Sequence, residues 1–326
     1  MSLPPELRSW LLEGSDPSVR YRVLRELLDR PESDPEVGAA RKEIGAKGWA
    51  AEILTRQLPG GQWVNPGTTS RELYVPKYTA ANWCLILLSE LGADRSDPRV
   101  ARGAELLLDR FGDPTHDSLG GDESEVCITG NCVRMMTRLG YGDDARIQRA
   151  TRWLVTAQKS DGGWHCGPFE TGTLDAWEAL AAFASIPAPR RSPEVDRAVD
   201  RGLEFFLERG LMTEDGRTYA PWLRLHYPNH YYYDVLVGLD IVTALGRGSD
   251  PRAAPALDWL EGKRDSHGSW PLEALNPDLE PDDDYLDHQP TPYYPVGLEH
   301  VGRRSRWVTA TALLVLQRAG RLGEVP

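Results

Sequence analysis

Cys127, Cys166 and the histidines His165, His226 and His230 are the side chains whose types suit soft-metal chemistry. Two thiolates and one imidazole would make a three-ligand zinc site with a fourth position open to water or substrate. The set predicted here is Cys127, Cys166 and a histidine, with His230 put forward as that ligand. No Cys-x-x-Cys spacing is present, so the ligands must be gathered from distant segments. The plainer alternative is that the thiols simply pack, as Cys84 and Cys132 inside helices are expected to do.

A second group is acid–base in character. Asp175, His230, Tyr231 and Asp234 are the candidate catalytic groups; His230 and Tyr231 lie in the densest aromatic patch, Trp222 to Tyr233, which Asp234 directly follows. Such a patch can stack on a sugar or embrace a cation or an isoprenoid. A tyrosine and a histidine that exchange protons, with Asn229 neutralising a carboxylate, would instead suit a carbohydrate lyase. Arg303, Arg304 and Arg306, helped by Lys77, could grip a pyrophosphate or carboxylate. The run Asp282-Asp283-Asp284-Tyr285-Leu286-Asp287 spells Asp-Asp-x-x-Asp, but it sits among Pro277, Pro281, Pro290 and Pro292 and reads as a solvated acidic loop.

These residues must be carried by something, and a repeat says what. Trp63, Trp164 and Trp270 each close a short phrase: Gln57-Leu-Pro-Gly-Gly61-Gln-Trp63, Gln158-Lys-Ser-Asp-Gly162-Gly-Trp164 and Arg264-Asp-Ser-His-Gly268-Ser-Trp270. The tryptophans stand 101 and 106 residues apart, which accommodates two units of about 50 residues each, the size of a two-helix repeat. Between the phrases the text reads helix, turn, helix. Hairpins are predicted at Val19–Leu28 with Pro35–Arg56 (broken near Gly45 to Gly48), Tyr78–Leu91 with Pro98–Phe111, and Cys127–Gly140 with Asp143–Gln158. Two more follow at Leu174–Ser185 with Pro193–Arg209 and Asp234–Leu245 with Pro251–Lys263.

An N-terminal helix, residues 6–13, and a C-terminal helix, residues 306–318, are left without sequence neighbours. Pairing them supplies a sixth hairpin and closes the array, which removes the need for capping repeats. The expectation is therefore an all-α fold, an α/α toroid of six hairpins forming a single domain over residues 1–326. The first helix of each hairpin should line the centre, and the N-terminal ends of these inner helices should converge on one mouth of the cavity. The Trp phrases themselves read as structural junctions.

Composition narrows the functions. A net charge of −12 lacks the basic face that nucleic acid requires. Hydrophobic residues make up 40% of the chain, yet no apolar run approaches the roughly 20 residues of a membrane span. The beginning, Met1-Ser-Leu-Pro-Pro-Glu, shows no secretory signal, and four cysteines do not make a disulfide scaffold, so a cytoplasmic protein is expected.

The stretch Arg149-Ala-x-x-Trp153-Leu-x-x-x-Gln158-x-x-x-Gly162-x-Trp164 follows the complete "QW" motif, and with its repeats the chain resembles the squalene cyclase and protein prenyltransferase β-subunit superfamily, uncharacterised bacterial members included. That resemblance implies the helical ring and a central cavity for an isoprenoid or other small ligand, as in terpenoid cyclases and transferases. The family's Asp-x-Asp-Asp acid is absent. Of the prenyltransferase zinc ligands, the His-bearing helix is similar to His230-Tyr-Tyr-Tyr-Asp-Val-Leu-Val-Gly-Leu239, while Gly172-Thr-Leu-Asp-Ala-Trp177 lacks the Asp-x-Cys element. A fold of this kind hosts unrelated reactions. An enzyme on an apolar substrate, a non-catalytic binding or scaffold ring, and a carbohydrate lyase or hydrolase all stay open.

Overall fold

A computed structural model describes residues 3–64, 70–111, 125–275 and 297–322. The acidic run Asp282 to Asp287, and most of the segment from Pro271 to Val301, lie outside the described residues. Fourteen α-helices are present among the described residues: α1 (Pro5–Leu12), α2 (Pro17–Arg22), α3 (Pro35–Ile44), α4 (Gly48–Thr55), α5 (Ser70–Tyr74), α6 (Ala81–Glu90), α7 (Pro98–Phe111), α8 (Val126–Met136), α9 (Ala145–Thr156), α10 (Glu178–Ser185), α11 (Pro193–Glu208), α12 (Val235–Ala244), α13 (Ala254–Gly262) and α14 (Arg306–Arg318). Short bridges occur, such as Trp164 with Thr173, and no strand forms among the described residues.

Two kinds of helix alternate. In α6 every residue from Ala81 to Ser89 is buried, and in α14 every residue from Trp307 to Leu316. A helix covered on all sides belongs inside. In α9, by contrast, burial is confined to Ile147, Ala150, Thr151 and Leu154, the single stripe of an outer helix. Caps mark the entries: Asp144, Ser192, Asp234 and Ser305 each accept a hydrogen bond from a backbone amide in the first turn of the helix they precede.

Closure is visible in the packing. Helix α8 packs on α6 and α10, α10 on α12, and α12 on α14, while α14 returns to α2. At the start of α14, Arg306 donates to the Trp10 carbonyl at 2.8 Å, and the Arg304 and Arg306 guanidinium groups lie over the Trp10 ring, so α1 joins the ring there. The protein is an α/α toroid. Local differences from the sequence reading follow from chain chemistry. The helix expected from Leu174 is a 3-10 turn, Leu174–Ala176, before α10, and two inner helices loosen into π-turns, Val23–Leu27 after α2 and Thr137–Tyr141 after α8.

The Trp phrases bolt neighbouring units together. Each indole N–H donates to a carbonyl ten residues earlier, Trp63 to Ile53, Trp164 to Leu154 and Trp270 to Leu260, at 2.7, 2.8 and 2.7 Å. The Gln158 amide donates both to Gly162 of its own turn and to Ala198 of the next outer helix, each at 2.8 Å, and Gln57 repeats this with Gly61 and Arg99. Gly162 has φ of +92°, and a Cβ there would lie 2.6 Å from the Arg201 carbonyl oxygen. Only glycine meets both demands.

Candidate functional site

The central cavity holds about 420 Å³ and is lined by residues from all six inner helices. Its walls differ from end to end. At the N-terminal ends of the inner helices its lining is Ser18, Trp177, His226, Tyr227 and Trp307, all buried. At the C-terminal ends lie the exposed residues Arg138, Ala244 and Arg318. The cavity therefore opens at the C-terminal ends of the inner helices, opposite to the mouth expected from sequence.

Packing explains the reversal. The connection between α11 and α12 folds over the N-terminal ends and fills them with aromatic side chains. His230 is fully buried with its ring 5.0 Å from Tyr78 and 5.4 Å from Trp83, and its carbonyl accepts from the Asn131 amide at 3.0 Å. Burial, and then the positive charge of Arg134, push the His230 imidazole down to about 3, so it is neutral at ordinary pH. Lys77 donates to the Tyr231 hydroxyl at 2.6 Å and sits over that ring, and Trp177 donates to the Tyr231 carbonyl at 3.2 Å.

Of the residues singled out from sequence, Lys77, His230 and Tyr231 do converge, but as a packed plug. Asp234 caps α12: its carboxylate accepts from Val237 and His226 amides at 2.8 Å and from the Asn229 side chain at 3.2 Å. Asp175 accepts from the Trp222 indole at 3.0 Å, away from the cavity lining. Lys77, Arg303 and Arg306 do not form one anion site, because Lys77 is held by Tyr231, Arg306 by Trp10, and Arg303 lies exposed beside Leu272.

The two cysteines do meet. The Cys166 sulfur accepts from the Cys127 amide at 3.2 Å. His230 is turned into Tyr78 and Trp83 instead, and His165 stacks on Phe169 at 4.2 Å and accepts from the Gly167 amide. Among the described residues no group of three or more His, Cys, Asp or Glu side chains is arranged to hold a metal ion.

What sequence reading missed is the charge inside the ring. The cavity lining includes Arg22, Arg41, Arg134, Arg138 and Arg318 against Glu26, Glu90, Asp94 and Asp240. Arg134 pairs with Glu90 at 3.2 Å, with both side chains at most 10% exposed, and lies over Trp177. Burial pushes its guanidinium down to about 10, which still leaves it charged at neutral pH. Arg22 pairs with Glu26 at 3.3 Å and covers Trp307, which stacks on Tyr227; Arg318 pairs with Asp240 at 2.8 Å, and Arg41 with Asp94. Arg138 has no ion-pair partner among the described residues. The available signal was charge on helices otherwise read as inner, such as Arg134 and Arg138 in the Cys127–Gly140 helix.

No family model matches the chain. It is similar to a squalene–hopene cyclase of Zymomonas mobilis, 25% identical over 158 residues, a match that spans 46% of this chain and 23% of that protein's length. Solved structures with a similar arrangement include a protein from Actinoplanes, with 18% identity, a TM-score of 0.43 and coverage of 95% of this chain and 92% of the other. A type II terpene cyclase from Scytonema has 16% identity and a TM-score of 0.44 over 94% and 88% of the two chains. A polysaccharide lyase has 14% identity and a TM-score of 0.49 over 95% and 91%. No helix among the described residues is long and apolar enough to cross a membrane. With its Trp phrases, its closed ring of hairpins and this sequence match, the chain is squalene cyclase-like in fold.

Proposed function

We propose that the ring binds a small amphiphilic molecule in its central cavity, with an anionic group at the mouth and an apolar body against the floor. One observation carries this reading: a chain of net charge −12 places five arginines against four carboxylates around one cavity, and Arg138 is the unmatched one. A guanidinium left over beside paired neighbours offers its donors to a carboxylate or phosphate oxygen. Both Arg138 and Glu26 sit on the π-turns, the kind of local loosening that often accompanies binding sites. Trp177, Leu236 and Val308 supply apolar surface deeper in. An isoprenoid bearing an acidic head group fits this division.

Polyene cyclisation is the less favoured activity. Each carboxylate lining the cavity has an arginine partner, and the Asp-x-Asp-Asp acid is missing from the sequence. The test is calorimetric binding of short-chain prenyl phosphates and carboxylates against their neutral alcohols. Binding of the anions that weakens about tenfold in Arg138→Ala, with an unchanged melting temperature, supports the reading; equal affinity for alcohol and anion would sink it.

A further inference from the structure

We propose that Cys166 is a reactive thiol site oxidised by hydroperoxides, with Cys127 as the thiol that resolves it into a disulfide. The pair lies outside the cavity lining, and nothing in the cavity reading depends on it.

Geometry makes the two sulfurs neighbours. Trp164 ends the second Trp phrase, and the chain leaving it carries Cys166 to the first turn of α8, where its sulfur accepts from the Cys127 amide at 3.2 Å. Cys127 is itself the second residue of α8, so its side chain and the Cys166 sulfur meet at the same helix end. Helix-start amides and a donating thiol favour the thiolate of the acceptor. The Cys127 thiol and the Cys127 and Val126 amides all approach the Cys166 sulfur, so the two thiols are held side by side. Cys166 is exposed and Cys127 half-buried, as an attacking and a resolving thiol should be; Cys84 and Cys132 are fully enclosed and burial pushes both up.

A second observation marks this spot. Glu178, at the start of α10, is fully buried, and neither of its carboxyl oxygens has a hydrogen-bond partner among the described residues. Burial, and then the negative charge of Cys166, push it well above the usual carboxylate range. The other charged groups that act on the pair are Glu125, to which the Cys127 thiol donates at 3.7 Å, with Asp175 and Arg134 acting on Glu178.

The chemistry balances with a hydroperoxide as the oxidant. The Cys166 thiolate bonds the terminal oxygen, the O–O bond breaks, and the departing alkoxide or hydroxide takes a proton from water, leaving a sulfenic acid. The Cys127 sulfur then attacks the Cys166 sulfur, the S–O bond breaks, and the hydroxide leaves as water with the Cys127 proton. Overall, two thiols and one peroxide give one disulfide, one alcohol or water, and one water.

The experiment uses the full chain. Folded protein is treated with a few equivalents of hydrogen peroxide, remaining thiols are alkylated, and peptides are read by mass spectrometry. The expected result is a Cys127–Cys166 cross-linked peptide with Cys84 and Cys132 still reduced, dimedone capture of Cys166 in Cys127→Ser, and neither product in Cys166→Ser. Peroxide should form the Cys127–Cys166 link about tenfold faster in folded wild-type protein than in urea-unfolded chain, as two sulfurs held side by side require. The proposal is overturned if the link forms no faster folded than unfolded, or if peroxide leaves Cys127 and Cys166 unlinked. The wild-type readings decide even if a variant fails to fold.

Discussion

Replacing Gly162 by alanine tests whether the Trp phrases lock one unit of the ring onto the next. Two penalties add at this position. The backbone has φ of +92°, where an L-residue costs about 1 kcal/mol or somewhat more relative to glycine. The new Cβ would also stand 2.6 Å from the Arg201 carbonyl oxygen in α11, a backbone atom that cannot swing away, and forced overpacking costs roughly 1–3 kcal/mol. Gly246 isolates the first penalty, since it has φ of +81° with nothing within 4 Å of a built Cβ. The expected destabilisation is about 1 kcal/mol for Gly246→Ala and about 3 kcal/mol for Gly162→Ala. For 326 residues unfolding entropy converts 1 kcal/mol into about 1.5 °C, so calorimetry should show melting temperatures lowered by about 1.5 and 4.5 °C. Equal shifts in the two variants would refute the claim that close backbone approach between units, and not turn geometry alone, requires glycine in the phrase.

Glu90→Gln strands Arg134, a buried guanidinium, and should cost about 3 kcal/mol in urea unfolding, reduced somewhat by the adjoining cavity; Glu90→Gln with Arg134→Met should recover most of it. Recovery that fails would mean the pair acts through something other than its charge. Acid should destabilise the fold through His230. Its folded value of about 3 lies below the unfolded value near 6.5, so the unfolded chain binds the extra proton between those limits. Stability is fully present above pH 6.5 and falls by up to about 1.4 kcal/mol per pH unit as pH drops towards 3. His230→Phe, which keeps a ring against Tyr78 and Trp83, should flatten that slope in denaturant titrations from pH 7 to 4; an unaltered slope would assign the acid sensitivity to other groups.

Helices and junctions were legible because their signals are local. Ser192, Asp234 and Ser305 bond amides within three residues, and Gln158 reaches its own turn four residues on, so a short window of text contains both partners. The plug was not legible. His230 and Tyr231 were read as catalytic candidates, His230 also as a zinc ligand, yet Lys77 meets Tyr231 across 154 positions and Asn131 meets His230 across 99. Nothing in either segment says that the connection before α12 folds inward and closes that end.

The sequence by itself determined that the chain is a ring of helical hairpins, since the repeated Gln, Gly and Trp positions and the apolar periods specify each unit and its junction. Tertiary closure decided where the cavity opens, which charges face it and which cysteine meets which. Arg22 bonds Thr311 across 289 positions, and Cys127 meets Cys166 across 39. The first exists only once inner helices from opposite ends of the chain share one core, and the second only once one unit's junction packs on its neighbour's inner helix, because side-chain direction depends on that packing.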